Sequence, residues 1–349
     1  MRDTNTEKLL PHNLSHPKKY KDFLATADGV TIIIDKLKDF IDPNIPYLNL
    51  FPGVDPLEFY PRFPNSQLLQ KLKISEESTV ICYTGNVHLA NQEEVRELYL
   101  AIGDRNRAGQ KTILVRTGID NNLNFLREND LWVKEYVREM GWVKRETIPS
   151  ILSIADVLVQ PGSPDEFNDY RFPSKIPEFL AMGKPVILPS TNIANCLTHL
   201  ENSFVLPEVN RHSLVEAINF LMKNPEIRSK IIQGGLEYSK SHLDWGQNSK
   251  KLLEFYNSVV SAPFSSMKKQ RLNQRLKLLV DDYEQEKSVQ IELLYQQLKD
   301  KDQLLQWQES QISQLVASNQ HLESQISSMR SSKFWKLREL WFGAKEKFG

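Results

Sequence analysis

The chain has 349 residues, of which 40% are hydrophobic and 25% are charged, and this length is typical of two or three domains. Its 44 Lys and Arg residues balance 44 Asp and Glu residues, which argues against a nucleic-acid-binding protein that relies on bulk positive charge. The two cysteines, Cys82 and Cys196, lack metal-ligand spacing. They predict no disulfide framework and fit a protein of the reducing cytosol.

The first part of the chain is predicted to contain a small amount of regular structure. Residues 1–15 are polar, which predicts no signal peptide, and no apolar run approaches the ~20 residues that a membrane-spanning helix needs. Residues 27–40 have the pattern of a strand followed by a short helix. Residues 45–61 predict an extended connector, because Pro and Gly punctuate them.

From about residue 75 to residue 260, short apolar runs alternate with helical patterns. Predicted strands lie in residues 79–86, 111–118, 156–162, 186–188 and 203–207, with a short extended piece at 141–143. Predicted helices lie in residues 92–106, 131–140, 148–155, 175–182, 213–224 and 226–243. This alternation predicts a parallel sheet covered on both faces. We therefore expect one Rossmann-like α/β domain of about 190 residues.

The predicted helix after Pro173 carries a lysine and a glutamate in its first turns. Ser174 is a suitable N-cap, and the N–H groups of Lys175 and Ile176 would then be free to bind an anion, typically phosphate. Glu178 lies one turn later on nearly the same face, where a carboxylate suits the hydroxyl groups of a ribose. The segment therefore fits a nucleoside diphosphate. The alternative is an ordinary capped helix with a solvated Lys–Glu pair.

Residues 264–342 contain neither Gly nor Pro, and part of this region has a seven-residue apolar repeat. The apolar positions of the repeat are Ile291, Leu294, Leu298, Leu305, Ile312, Leu315, Leu322, Ile326 and Met329. Lys301, Gln308 and Asn319 interrupt the same seam, and a single polar Asn there commonly fixes register and oligomer state. The repeat predicts a coiled coil that forms a homodimer. The alternative is a solitary charged helix that lies on the protein or frays in solvent.

The final residues, 331–349, place large apolar side chains among Lys and Arg. These side chains are Phe334, Trp335, Leu337, Leu340, Trp341 and Phe342. A basic aromatic helix of this kind can lie in a membrane interface. The alternative is an amphipathic helix that docks on protein.

Several segments resemble, in order and spacing, the retaining GT-B-fold glycosyltransferases of family 4. Residues 173–187, "PSKIPEFLAMGKPVI", look like the donor-site helix and following strand of that family. Glu178 matches the second glutamate of the family's E-x7-E motif, which holds the donor ribose. Other similar segments are residues 27–59, at the exit from the family's first domain, 81–86, at its first Gly turn, and 140–162 and 244–259. The resemblance covers roughly residues 25–260.

The resemblance implies the second, donor-binding domain of a GT-B fold. It implies that Gly85 and Asn86 form the Gly turn at the donor, and that Trp142 and Val143 line the base of the nucleotide. The family has a basic residue where this chain has Asn86. The charge of the diphosphate could instead be met by Arg116, Arg171 and Lys175. For Arg116 the alternative is a surface arginine that pairs with Asp120.

The first glutamate of the motif, which helps to place the sugar in the family, is replaced here by Tyr170. Asp165, Glu166 and Asp169 lie near this position but out of register. We expect Asn168 and Asp169 to be the candidates for this role.

The resemblance also implies an activity, the transfer of a sugar from a nucleotide-sugar donor to a glycan or lipid-linked acceptor in cell-surface polysaccharide synthesis. We expect Lys175, Arg171 and Glu178 to act in catalysis, with no metal and no cofactor, because the nucleotide sugar is the substrate. The expected location is the cytoplasm, with possible contact at the inner face of the plasma membrane.

Only about 55 residues precede the predicted donor domain, fewer than an independent acceptor-binding α/β domain needs. We therefore predict four segments: residues 1–55 as the end of a first GT-B domain with a connector, 56–262 as the nucleotide-sugar domain, 263–330 as the coiled coil, and 331–349 as the tail. The alternative function is a catalytically impaired scaffold that dimerises and holds a partner transferase at a membrane. A sugar epimerase of the same fold is a further alternative.

Overall fold

The computed structural model describes residues 20–120, 124–262 and 266–331, together with Leu337, Arg338 and Leu340. Residues 1–19, and the predicted tail apart from Ser331 and these three positions, lie outside the described residues. Described residues up to Arg275 form one compact unit, and those from Leu276 onward form a second.

A small parallel sheet opens the first unit. Its strands are β1 (Val30–Ile32) and β2 (Tyr47–Asn49), and a 3-10 helix, Asp35–Phe40, lies between them. Ile32, Ile41 and Ile45 form its buried core. The predicted strand and short helix in residues 27–40 are confirmed, whereas β2 falls in the segment predicted as a connector without strands.

The main sheet has six strands. They are β3 (Thr79–Thr84), β4 (Thr112–Thr117), β5 (Val137–Glu139), β6 (Val157–Val159), β7 (Val186–Pro189) and β8 (Phe204–Leu206). Their order is β5-β4-β3-β6-β7-β8, and every neighbouring pair is parallel. The predicted parallel Rossmann-like sheet is therefore confirmed. The strand order reverses between β3 and β6, which makes this position the topological switch point of the sheet.

Ten α-helices are present among the described residues. They are α1 (Tyr20–Ala25), α2 (Ser66–Lys71), α3 (Gln92–Arg107), α4 (Ile148–Ser153), α5 (Glu166–Asp169), α6 (Lys175–Ala181), α7 (Arg211–Lys223), α8 (Pro225–His242), α9 (Trp245–Ser261) and α10 (Ser266–Ser331). None of these helices is long and apolar enough to cross a membrane.

Alternate residues of β3 belong to two different apolar cores. Ile81 and Tyr83 pack in one cluster with buried residues of α3 and α7. Val80 and Cys82 pack in the other cluster with buried residues of α4 and α6. Because successive side chains of a strand point to opposite faces, the sheet is covered on both sides, as its continuous apolar strands require.

The segment 131–140, predicted to be helical, is only partly so. A 3-10 helix, Glu128–Tyr136, is followed by strand β5, and the predicted extended piece at 141–143 forms no strand. Val137 pairs with Leu114 of β4. This pairing overrides the local helical pattern, because β-branched residues at a sheet edge gain more from strand packing than from helix propensity.

Candidate functional site

The switch point brings together the loop after β3 and the segment that leads from β6 into α6. In open parallel sheets, ligands bind outside the carboxyl ends of the strands at such a point. Gly85 follows β3 directly, and the Nζ atom of Lys175, the first residue of α6, lies 4.4 Å from the centre of the Tyr83 ring. The structure therefore brings Gly85 and Lys175, two of the predicted donor residues, into one site.

Two glycines allow the loops at this site to approach closely. A Cβ atom on Gly85 would collide with Lys175 Nζ and would lie 2.7 Å from the Tyr83 hydroxyl oxygen. Gly118 has a φ of +101°, and a Cβ atom there would collide with the Gly85 backbone. Gly85 N–H also donates to the Thr117 carbonyl at 3.1 Å. Only glycine fits both positions, so the loops after β3 and β4 are held against each other.

Asn86 joins the same two loops. Its side-chain oxygen accepts a hydrogen bond of 2.9 Å from Ile119 N–H, and its backbone carbonyl accepts one of 3.0 Å from the Asn91 side chain. Asn86, which stands where the family has a basic residue, therefore stabilises the loop at the site. Its side-chain oxygen is already hydrogen-bonded to the Ile119 amide.

Lys175 is a partly buried cation beside an aromatic face. Among the described residues, its Nζ atom has no hydrogen-bond or ion-pair partner. Burial and, to a smaller extent, the nearby Arg171 guanidinium lower the pKa of Lys175 to about 7, against the opposing effect of Glu178. An ammonium group that has lost its water without gaining a partner binds an incoming anion with little further desolvation.

The carboxylate of Glu178 does not face bulk water, since its side chain is only 15% exposed. Arg145 donates a hydrogen bond of 2.9 Å from Nη1 to Glu178 Oε1, and its Nη2 lies 3.3 Å from a carboxylate oxygen of Glu58. Burial raises the pKa of Glu178, the paired Arg145 opposes this shift, and the Glu58 carboxylate adds to it. Arg145 and Glu58 were absent from the sequence prediction, which had paired Glu178 only with Lys175.

The amino end of α6 differs in detail from the prediction. Ser174 stands at the N-cap position, but its backbone is already helical and its side chain caps no amide. Ile176 N–H donates to the Pro173 carbonyl at 3.0 Å, so this amide, predicted to be free, is satisfied by a preceding turn. The predicted Ser174 cap and the predicted free amide of Ile176 are therefore wrong, because the chain already has helical geometry at Ser174.

Arg116 is a buried residue of β4 with only 2% of its surface exposed. It pairs with Asp120, as the alternative reading expected, although it is not a surface residue, and it lies 3.8 Å from Glu139. Its Nε and Nη1 atoms have no hydrogen-bond partner among the described residues. Arg116 therefore lies among carboxylates on the β4–β5 side of the site.

Asn168 belongs to a buried polar cluster. Its Nδ2 donates to Glu94 Oε1 at 2.9 Å and to the Ser163 carbonyl at 3.0 Å, and its Oδ1 accepts from Arg171 Nη1 at 3.2 Å. Burial raises the pKa of Glu94, and the hydrogen bonds from Asn168 and Ser163 oppose this shift. The sequence analysis did not identify Glu94 as a site residue. The one feature that could have indicated it is its place in the first turn of α3, the helix that follows the predicted Gly turn.

The residues near the position of the family's first glutamate interact with the small sheet. Asp169 forms a 2.7 Å ion pair with Lys36. Lys36 Nζ also lies 4.8 Å from the centre of the Tyr170 ring, which contacts Phe40 edge to face. Asp165 instead caps α5 by accepting a hydrogen bond from Asn168 N–H. Glu166 begins α5, and its side chain lies outside the described residues.

A cavity of about 720 Å³ opens beside Asp169. The small sheet and the loop after β7 complete its wall, with Asp39, Asn49 and Asn195 among the lining residues. The cavity is therefore rich in groups that can accept or donate hydrogen bonds.

The two residues predicted to line the base differ in environment. Trp142 is 74% exposed, whereas Val143 packs against the core beneath the sheet. The preceding Gly141 accepts a hydrogen bond of 2.8 Å from Gly118 N–H. This bond places the Gly141–Val143 segment beside the loop after β4. Among the described residues, no group of His, Cys, Asp and Glu side chains could hold a metal ion.

Comparison with known proteins identifies this architecture. Residues 78–224 match the family model described as glycosyl transferases group 1, a span that includes Gly85, Arg116, Asn168, Lys175 and Glu178. No curated protein matches the chain significantly in sequence.

Solved structures share the fold at low sequence identity. Sucrose-phosphate synthase from Thermosynechococcus elongatus aligns with a TM-score of 0.59 and 17% identity, over 75% of this chain and 65% of its own. The HepE protein of Anabaena, in complex with UDP and glucose, aligns with a TM-score of 0.59 and 14% identity, over 74% of this chain and 70% of its own. WaaG, a glycosyltransferase involved in lipopolysaccharide biosynthesis, aligns with a TM-score of 0.50 and 18% identity, over 63% of this chain and 60% of its own. The chain thus spans under two thirds of the length of two of these relatives, and the similarity confirms the predicted GT-B type of fold.

Proposed function

We propose, from the match of residues 78–224 to the family model of glycosyl transferases group 1, that this chain binds a nucleoside diphosphate sugar at the β3–β6 switch point. In this proposal the chain is a glycosyltransferase or its donor-binding half. The observation that carries the proposal is the desolvated Lys175 beside Gly85, with the shielded carboxylate of Glu178 one turn further along α6.

The diphosphate would lie against Lys175 and Arg171. The two cations are close enough for Arg171 to lower the pKa of Lys175. Burial lowers the pKa of His88, and both cations add to that shift. Arg171 and Lys175 repel each other, and a dianion bound between them would remove that repulsion. Asn86 and Gly85 then contribute the backbone of the loop, which glycine leaves open for close approach.

The ribose would lie against Glu178. Burial raises the pKa of this carboxylate and the paired Arg145 opposes the shift. An ionised carboxylate accepts hydrogen bonds from two hydroxyl groups. Trp142 and Val143 would then lie on the side of the base, where an exposed indole offers a stacking surface. The presence of UDP and glucose in the HepE structure supports a nucleoside diphosphate sugar as the ligand class.

In catalysis, the bond between the sugar and the diphosphate breaks and negative charge grows on the leaving oxygen. Lys175 and Arg171, both half-buried, would stabilise this charge, because fixed cations contribute more where they are partly desolvated. Asn168 and Asp169 would lie towards the sugar, next to the cavity of about 720 Å³. Arg116 would act from further away, because Asp120 and Glu139 already surround its guanidinium.

The acceptor in this proposal is a glycan or a lipid-linked sugar of cell-surface polysaccharide synthesis. The likeness in fold to WaaG, a glycosyltransferase involved in lipopolysaccharide biosynthesis, favours this class. The predicted basic tail would bring the chain to the inner face of the plasma membrane. A scaffold that holds a partner transferase is the second candidate function, and the exposed heptad seam of α10 favours it.

Nucleotide binding separates the two functions. We expect UDP, or another nucleoside diphosphate, to raise the melting temperature of the full chain and to bind in calorimetry. Replacing Lys175 by Met should weaken binding about 10- to 100-fold, and Glu178→Gln about 10-fold, because each loses a charged hydrogen bond.

Lys111→Met is the matched control. Exposed Lys111 directly precedes β4, so it lies at the amino ends of the strands, opposite the proposed site, and it pairs there with Glu77. This variant should bind like the wild type. If no nucleoside diphosphate binds the wild type, or if Lys175→Met binds equally well, the donor proposal is wrong.

A further inference from the structure

The second half of α10 leaves an apolar stripe uncovered. Every residue in 290–331 is exposed, although the segment is continuous helix. The nine apolar side chains that form the stripe are each between 50% and 69% exposed, namely Ile291, Leu294, Leu298, Leu305, Ile312, Leu315, Leu322, Ile326 and Met329. Helices in water owe most of their stability to packing of an apolar face. A helix of this length with an unpacked stripe therefore needs a partner.

The spacing of the stripe specifies a coiled coil. Together with the polar positions Lys301, Gln308 and Asn319, the stripe alternates by three and four residues without a break from Ile291 to Met329. This spacing places its residues at the a and d positions of a heptad repeat. Three of the a positions are Ile and three of the d positions are Leu, namely Ile291, Ile312 and Ile326 at a, and Leu294, Leu315 and Leu322 at d. A β-branched residue at a with Leu at d favours two parallel strands.

We propose that residues 291–329 of α10 pair with the same residues of a second copy of this chain as a parallel, in-register, two-stranded coiled coil. This inference does not depend on donor binding. A second copy of this chain fits the stripe, because in register it places an apolar side chain opposite each apolar position and a polar side chain opposite each polar position.

The polar positions of the seam fix the register. Asn319 occupies an a position, and in the proposed pair it meets Asn319 of the partner subunit, so each buried amide finds a hydrogen-bonding partner. A shift by one heptad would place each Asn against an Ile and leave both amides unsatisfied. Lys301, at a d position, would face the partner subunit's Lys301. The partner subunit's Asp302 would offset this repulsion, because a d side chain also packs against the neighbouring e position.

Charges beside the seam fix the orientation. The e positions carry Asp302, Glu309 and Glu323, whereas the g positions carry no charge. In a parallel pair, e residues face g residues, so the three carboxylates meet Gln, Leu or Ser. In an antiparallel pair aligned over the same seam, e residues face each other. Asp302 would then lie opposite the partner subunit's Glu323, and the two-fold symmetry of the pair would repeat this contact of like charges. Repulsion therefore disfavours the antiparallel pair.

Cysteine cross-linking of the full chain tests orientation and register. In a Cys196→Ser background, Leu294→Cys and Met329→Cys should each form a disulfide-linked dimer under mild oxidation, because equivalent seam residues lie within the ~5.5–6 Å between Cα atoms that a disulfide needs. Ser310→Cys, on the outer face of the same helix, is the control and should stay uncross-linked.

The antiparallel arrangement predicts a different pattern. A mixture of Leu294→Cys and Ile326→Cys chains would cross-link to each other, and neither variant would link to its own copy. In the parallel pair these two positions lie about 48 Å apart along the helix, and the mixed link would not form. The mixed product would overturn the proposal.

Sedimentation of the uncross-linked chain tests the number of strands. The wild type should have twice the mass of the 40.5 kDa chain, and Leu315→Glu should have the mass of one chain, with Ser310→Glu as the matched control. Thermal melting of the first unit shows that the variant still folds. A monomeric wild type, or a trimer or tetramer, would overturn the proposal.

Discussion

At the scale of single residues, the proposed site depends on charged side chains that the fold partly shields from water. Lys175 is held beside the Tyr83 ring without an ion-pair partner among the described residues, and its pKa is about 7. Burial raises the pKa of Glu178, and the hydrogen bond from Arg145 opposes that shift. Both arrangements cost stability in the unliganded protein, and such costs commonly mark functional sites.

Replacing Lys175 by Met should stabilise the unliganded protein, because it removes a cation that burial disfavours. The folded-state pKa of about 7 lies below the ordinary 10.5, so the unfolded chain binds more protons between these values and wild-type stability rises with pH there. The gain in the free energy of unfolding of Lys175→Met over the wild type should reach its full size below pH 7, where it is about 1.4 kcal/mol per unit of pKa shift.

The gain should vanish as the pH approaches 10.5. Denaturant unfolding of both proteins at pH 6, 8 and 10 measures it. A difference in stability that is constant across these pH values would contradict a depressed lysine pKa.

At the scale of elements, the site depends on the contact between the loops after β3 and β4. Gly118 N–H donates to Gly141, and Asn86 accepts from Ile119. These bonds link the turn that receives the diphosphate in our proposal to the segment that receives the base. The proposed site is therefore built by three loops rather than by α6 alone.

Gly118→Ala should destabilise the protein more than Gly109→Ala. Both glycines have a positive φ, of +101° and +79°, which costs an L-residue about 1–2 kcal/mol. A Cβ atom on Gly118 would also collide with Gly85, whereas one on Gly109 has nothing within 4 Å.

The additional cost at Gly118 should be about 1–3 kcal/mol, as in overpacked cores, and nucleotide affinity should fall with it. Urea unfolding and calorimetry measure the two effects. Equal destabilisation by the two substitutions would show that the loops do not pack as described.

At the scale of the whole molecule, two compact units carry separate properties. The first unit holds the α/β sheet and the proposed donor site. The second holds the exposed part of α10 and the proposed pairing surface. Because each unit carries its own function, donor binding and pairing should be separable by mutation.

The variant Leu315→Glu should abolish pairing and leave nucleotide affinity per chain within about twofold of the wild type, since additivity holds for distant sites. Calorimetry of the variant at a concentration where sedimentation shows single chains measures this. A large loss of affinity on dissociation would mean that the second copy contributes to the donor site.

Local patterns determined much of the architecture. The alternation of apolar runs and helical patterns predicted the parallel sheet, and the Gly- and Pro-free stretch predicted the long helix, because periodicity within one segment decides these features. Lys175 and Glu178 were both predicted as site residues from a segment of a few residues. The heptad positions and their polar exceptions also follow from the sequence alone.

Tertiary structure decided what surrounds those residues. Strand β5 forms because Val137 meets β4, although its local pattern is helical. Arg145 reaches Glu178 across 33 residues, and Glu94 reaches Asn168 across 74. The turn at Pro173 occupies the Ile176 amide. These features depend on contacts between distant segments, and the charge of a side chain in a partly buried site is set by its neighbours in space rather than by those along the chain.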